Sequence, residues 1–232
     1  PLSIYEPQPI IATFFIDFFS ISILFYVFHC ITMIENWYPF FKNPKEYMKM
    51  KDKFIVTAAI TGAIHTPTMS PYLPITSDEI VEEAGRASDA GAAVVHIHAR
   101  DPEEGKPFGT PEMFAELLPR IKTRSSAVIC TTTGGALGQT AEQRVAVVKR
   151  FSPELASLNA GSMNFAIFPV LDKIKEFKYT WEPEYLSMTE DFIFPNTFKT
   201  LKKFSRYFSE EGTKPEFEVY DTGMLNNLAF LL

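Results

Sequence analysis

From about residue 54 onward, short apolar runs alternate with polar stretches of helical length, and this alternation constrains the fold more than any other feature. The runs at 54–60 (FIVTAAI), 92–98 (AAVVHIH), 127–132 (AVICTT), 155–159 (LASLN) and 217–220 (FEVY) have the length and β-branched content of buried strands. The intervening stretches carry helix punctuation. Thr76-Ser77-Asp78-Glu79 opens the first with capping chemistry, and Gly91 closes it. Pro111 stands in the first turn of a helix over 110–122, TAEQ opens one over 140–151, and Gly212 ends one over 196–211. Another helix follows Gly223. Strands that alternate with helices of this length mean βαβ units and a parallel sheet. Residues 165–195 break the rhythm, and their Trp181, Pro183, Tyr185 and Pro195 suggest a long, irregular strand-to-helix loop.

The first fifty residues have a different composition. They are rich in Phe, Ile and Tyr and nearly free of Gly, so the chain divides into an apolar segment (1–50) and an α/β portion (51–232). Residues 10–34 are long enough to span a bilayer, which takes ~20 apolar residues. Asp17 lies within them, and a central carboxylate costs about 2.5–3.5 kcal/mol on insertion scales. A basic leader and a small-residue cleavage site are both missing, which argues against a signal peptide. The expectation is that residues 1–50 do not belong with the α/β portion, with Met48 or Met50 as a natural start; a membrane anchor is the alternative. Both ends look cut, since 227–232 read as the inside of a helix.

The net charge of −6 and the lack of a basic block speak against a nucleic-acid surface. The two cysteines, Cys30 and Cys130, lie far apart, in apolar surroundings and outside metal or redox spacings. A reducing, cytoplasmic setting is therefore expected.

His96-Ile97-His98 is the sharpest chemical feature. Side chains at i and i+2 of a strand share a face, so both imidazoles converge at the C-terminal end of the second strand. Parallel barrels place their active sites at that end. Paired neutral imidazoles suit Zn²⁺ or a similar first-row metal. Arg100 continues the same face. The third strand runs into Thr131-Thr132-Thr133-Gly134-Gly135, where hydroxyls and glycine N–H groups suit an anion. The fourth ends in Asn159-Ala160-Gly161-Ser162, with polar groups at the same mouth. On the fifth, Glu218 stands between Phe217 and Val219, and Asp221 is the alternative inward carboxylate. The loop 61–68 after the first strand adds Thr61 and His65 as candidate substrate contacts.

The stretches 57–76 (TAAITGAIHTPTMSPYLPIT), 91–107 (GAAVVHIHARDPEEGKP), 132–138 (TTGGALG), 158–165 (LNAGSMNF) and 215–224 (PEFEVYDTGM) together resemble the β-keto acid cleavage enzymes, the family named for 3-keto-5-aminohexanoate cleavage. The resemblance begins at about residue 54. It implies a TIM (β/α)8 barrel, here incomplete with about five β/α units, a Zn²⁺ ion, and acetyl-CoA as co-substrate. A β-keto acid would exchange with acetyl-CoA to give acetoacetate and a new acyl-CoA. The implied metal ligands are His96 and His98. Thr132, Ser162 and Glu218 carry over as catalytic residues; Thr61, His65, Arg100, Gly134 and Asn159 are expected as substrate contacts from their places at the same mouth. The family's third metal ligand, a Glu on the last strand, has no counterpart in this sequence, so the chain as given is expected to be inactive. A homo-oligomer is expected of a complete chain. No acidic residue lies between Thr57 and Ser77, so an amine-bearing substrate is not expected. The competing readings are a metal-dependent hydrolase of the amidohydrolase type and an inactive fragment.

Overall fold

A computed structural model of the chain describes residues 55–136 and 138–231, and the compact unit that holds the site begins at Thr57. The expectation that residues 1–50 stand apart from the enzyme lies outside the described residues. Among those described, no helix is long and apolar enough to cross a membrane.

Five parallel strands form one sheet: β1 (Thr57–Ala59), β2 (Val94–Ile97), β3 (Val128–Thr131), β4 (Leu155–Asn159) and β7 (Lys214–Glu218), in that spatial order. Helices α1 (Ser77–Asp89), α2 (Pro111–Arg124), α3 (Ala141–Phe151), α5 (Phe198–Glu211) and α6 (Thr222–Leu231) follow the five strands in turn. Sequential, all-parallel strands with helical crossovers are the architecture of a (β/α)8 barrel, of which these are about five units.

Local chemistry fixes the helix starts. Thr76 and Thr140 each close a capping box, with Glu79 and Gln143 reaching back. Thr197 caps α5, and Gly212 ends it at φ +67°, a left-handed turn that glycine adopts without strain.

Register decides which side of each strand meets what. Val95 and Ile97 of β2 pack under Ile80 of α1 and Phe114, Leu117 and Ile121 of α2. Ala156 and Leu158 of β4 pack under Val145, Leu201 and Phe204. Each fully buried side chain of this size contributes about 1.5–3 kcal/mol by transfer alone. The alternate residues face the other way, where His96 pairs in register with Cys130, Ser157 with Glu216, and Asn159 with Glu218. Val94, Cys130 and Leu155 form a small apolar floor on that inner side.

Two regions differ from the sequence pattern. β7 begins at Lys214, earlier than the expected 217–220, and includes Pro215. The Lys214 N–H bonds to β4 at Glu154 O, so the alternation of a parallel ladder turns the Pro215 nitrogen away from that neighbour and the missing donor costs nothing there. Residues 165–195, expected to be irregular, contain 3₁₀ turns at Phe168–Lys173 and Met188–Asp191, the short helix α4 (Trp181–Ser187), and the strand β6 (Ile193–Phe194), which pairs antiparallel with β5 (Met163–Asn164) just before them. Trp181, Tyr185 and Leu186 give this insertion its own apolar cluster, which periodicity does not reveal.

Candidate active site

His96 sits on β2 and His98 directly after it. Their Nε2 atoms are 3.0 Å apart and their ring centroids 4.9 Å apart. The i, i+2 spacing thus brings both rings to one point at the C-terminal end of the sheet. Burial lowers the His96 pKa to about 4, and burial with the neighbouring His96 and Arg100 charges holds His98 well below the usual value. Both imidazoles are neutral at pH 7, the form that binds metal. Two nitrogen ligands on one tetrahedral ion stand about 3.3 Å apart for bonds of about 2.0–2.1 Å, so the pair fits a divalent metal.

The loop after β1 is fastened to this strand end. Thr61 Oγ1 donates to His98 O at 2.9 Å and accepts from His98 N at 3.1 Å, which holds the histidine backbone. Arg100 is 2 % exposed. Its Nη atoms donate to the carbonyls of Thr61, Gly62, His65 and Gly105 at 2.7–3.2 Å, and only Nε is left without a partner. Expected as a substrate contact, Arg100 is first a clamp on the loop; burial lowers its pKa to about 10, so it stays charged at pH 7. The His65 side chain is exposed on the same loop.

Thr132 and Gly134 follow β3. The expectation that Gly134 offers its N–H to an anion meets a local competitor: that N–H donates to Thr132 Oγ1 at 2.9 Å. A hydroxyl two residues back is an ordinary local acceptor for a turn N–H. The arrangement leaves the Thr132 hydroxyl proton to donate outward. Gly135 carries the turn at φ +69°, where a Cβ would meet Arg144 Cγ at 2.7 Å. Thr132 and His98 line one cleft with Ala63, Gln139 and Arg144.

On β4 and β7, Asn159 Nδ2 donates to Glu218 Oε2 at 2.5 Å, and the Tyr220 hydroxyl donates to the same oxygen at 3.3 Å. Burial pushes the Glu218 carboxyl up to about 7, against the pull of these two bonds. The alternative carboxylate, Asp221, caps the last helix through Met224 N at 2.9 Å. Ser162 lies beyond β4, exposed, with its Oγ accepting from Asn196 N at 2.8 Å.

Three features escaped the sequence. Arg144, 5 % exposed, donates to Thr133 O, Pro195 O and Asn196 Oδ1 and so ties the β3 turn to the insertion. Glu182, fully buried, accepts from Thr68 N, Thr68 Oγ1 and Tyr179 N, and so ties the insertion to the β1 loop. The third is at Cys130, expected in apolar surroundings: its Sγ stands 3.8 Å from Glu216 Oε1. A charge pattern on α3 and a buried acid in the insertion give little signal before folding, because most of their partners lie 11–114 residues away.

The fold is that of an incomplete (β/α)8 barrel, with a cluster at its strand ends that could hold a divalent ion. Comparison with known families narrows this: the profile of the beta-keto acid cleavage enzyme family matches residues 53–232, and the chain belongs to that family. It is 48% identical over 182 residues to a 3,5-dioxohexanoate:acetyl-CoA acetone transferase of Paraburkholderia graminis, covering 78% of this chain and 59% of the relative. It is 38% identical over 176 residues to a 3-keto-5-aminohexanoate cleavage enzyme of Acetoanaerobium sticklandii, covering 75% and 55%. The chain therefore spans less than two thirds of the length of these relatives. Among solved structures, ObcA in a ternary complex with a C4-CoA adduct and oxalate is similar at a TM-score of 0.52 and 27% identity, over 70% of this chain and 34% of that one.

Proposed function

We propose that the protein cleaves a β-keto acid at the expense of acetyl-CoA. The β-keto acid R–CO–CH₂–COO⁻ gives up its acyl group RCO to CoA, and the acetyl group of acetyl-CoA takes its place, so that acetoacetate and RCO–CoA leave. The observation that carries this reading is the His96–His98 pair, with Nε2 atoms 3.0 Å apart at the strand end. A divalent metal, zinc by its preference for such ligands, would polarise the keto oxygen and hold the carboxylate there. Glu218, with its proton balanced near pH 7, is suited to accept a proton from the substrate and return it to the product. Asn159 orients that carboxylate. The Thr132 hydroxyl, held by Gly134, and the Ser162 hydroxyl, held by Asn196, are suited to donate to developing negative charge.

The substrate is a keto acid without an ammonium group. Support comes from the β1 loop, which has no acidic residue between Thr57 and Ser77. Glu182 reaches that loop from the insertion, but its oxygens are taken by Thr68 and Tyr179.

The test is to incubate the intact protein with metal, a β-keto acid and acetyl-CoA, and to follow acetoacetate and the new acyl-CoA. Dependence of cleavage on acetyl-CoA, lost in His96→Ala and His98→Ala, is the expected result. Hydrolysis without CoA would favour the hydrolase reading, and no metal uptake would overturn the proposal.

A further inference from the structure

His96 presents its two ring nitrogens to two different surroundings. Nε2 meets His98 at the mouth. Nδ1 points into the buried sheet interior and makes no hydrogen bond. Two other chemistry-bearing side chains share that interior: Cys130, the register partner of His96 on β3, and Glu216 on β7. Ligand-type atoms of the three lie within 4.8 Å of one another, and all three residues are buried. The Cys130 thiol donates to Glu216 Oε1 at 3.8 Å.

Such a trio can act as three ligands on one ion, or as a carboxylate and a thiol that hold an imidazole. Chemistry separates the two. A neutral imidazole has one N–H and one lone pair. If the Nε2 lone pair serves an ion shared with His98, the proton must sit on Nδ1. A buried N–H without an acceptor keeps the full penalty of its lost hydration, so Nδ1 calls for a partner. The carboxylate of Glu216 is the acceptor at hand, and metal-ligating histidines commonly donate their second N–H to a carboxylate. Cys130, kept as a thiol by burial and by the negative charges of Glu216 and Glu218, acts as a donor that orients the carboxylate.

We infer that Glu216, oriented by Cys130, is a positioning residue for His96: it takes the Nδ1 proton, fixes the tautomer, and aims Nε2 at the ion shared with His98. This inference rests on the metal-site reading above. Glu216 and Cys130 themselves touch neither metal nor substrate.

The experiment compares intact wild-type protein with Glu216→Ala, Glu216→Gln and Cys130→Ser. Nitrogen-15 spectra of the metal-free protein report which ring nitrogen of His96 carries the proton. Chelator competition gives the zinc dissociation constant, and the cobalt(II) form gives an absorption spectrum. The wild type should hold the His96 proton on Nδ1, and Glu216→Ala should show a tautomer mixture. Zinc binding should weaken by about 10–100-fold in Glu216→Ala. Glu216→Gln, which keeps an oxygen acceptor without its charge, should fall between wild type and Glu216→Ala. Cys130→Ser, which keeps a donor, should stay within a few-fold of wild type. The cobalt form should lack a thiolate charge-transfer band. Unchanged tautomer and affinity in Glu216→Ala would overturn the inference, as would a strong thiolate band, which would make Cys130 a ligand. If Glu216→Ala does not fold, unchanged zinc affinity in Glu216→Gln overturns it equally. If the wild type takes up no zinc yet loses its Nδ1 tautomer in Glu216→Ala, the metal reading fails and the positioning role stands.

Discussion

Two buried polar regions sit within the same sheet-and-loop unit and are built in opposite ways. In the clamps around the site, each charged side chain holds three or four protein groups, with Arg100 Nε and Asn196 Nδ2 left over. Arg100 holds four carbonyls of the β1 and β2 loops, Arg144 holds the β3 turn and Asn196, and Glu182 holds Thr68 and Tyr179. On the inner strand face, polar atoms are left over. His96 Nδ1 and Asn159 Oδ1 are buried without a hydrogen bond, and the Nε2 atoms of His96 and His98 face each other. Glu218 carries a carboxyl whose burial works against its charge. A buried group without a partner destabilises the fold unless it serves something else. The contrast is one of partners: each loop charge holds three or four protein groups, whereas each Nε2 of the histidine pair holds one and the Glu218 carboxyl two.

The comparison breaks most easily at the clamps. Arg100→Ala would orphan four carbonyls at once and should lower stability by about 3 kcal/mol or more, read by urea unfolding. Arg100→Lys should recover only part, because an ammonium cannot match the planar fork. A loss below 1 kcal/mol would show that the loop holds without its clamp.

Glu182→Gln should cost less, about 1–3 kcal/mol, since one amide oxygen still accepts. Burial opposes the Glu182 charge, but hydrogen bonds from threonine hydroxyls and backbone N–H groups prevail, so its pKa lies below the usual carboxylate value. The sign follows: its stabilisation is complete above the unfolded-state pKa and is lost as pH falls through the lower folded value. Glu182→Gln should therefore flatten the acid limb of stability below about pH 4.3. An unchanged acid limb would remove Glu182 from the clamps.

The inner face should behave the other way, with small effects on folding and large ones on activity. At pH 6 Glu218→Gln should raise the stability of the metal-free protein rather than lower it, while cleavage falls by about 10²–10⁴-fold. Its pKa is raised to about 7, so in the metal-free protein the ionised form costs stability. That cost should develop as pH rises from about 4.3 through 7, and Glu218→Gln should abolish it. The smallest stability change is expected for His98→Ala, whose ring nitrogen bonds only to His96; its readout is metal content.

Much of the fold was legible because its causes are local. Capping at Thr76 and Thr140 and the left-handed turn at Gly212 depend on residues within one helical turn. The shared face of His96 and His98 follows from the period of two along one strand, and five β/α units follow from their repetition. The insertion was less legible, since Trp181, Tyr185 and Leu186 cluster without a period.

Sequence alone thus determined the order of strands and helices, the convergence of the histidine pair, and the family to which the chain is similar. Only the tertiary structure decided that Glu218 and not Asp221 faces Asn159, that Arg100 fastens a loop, and that Cys130 meets Glu216. The physical reason is reach. Strand period and capping act over two to four residues, whereas these contacts join residues 5–86 positions apart. The longer ones form only when neighbouring parallel strands take up one register.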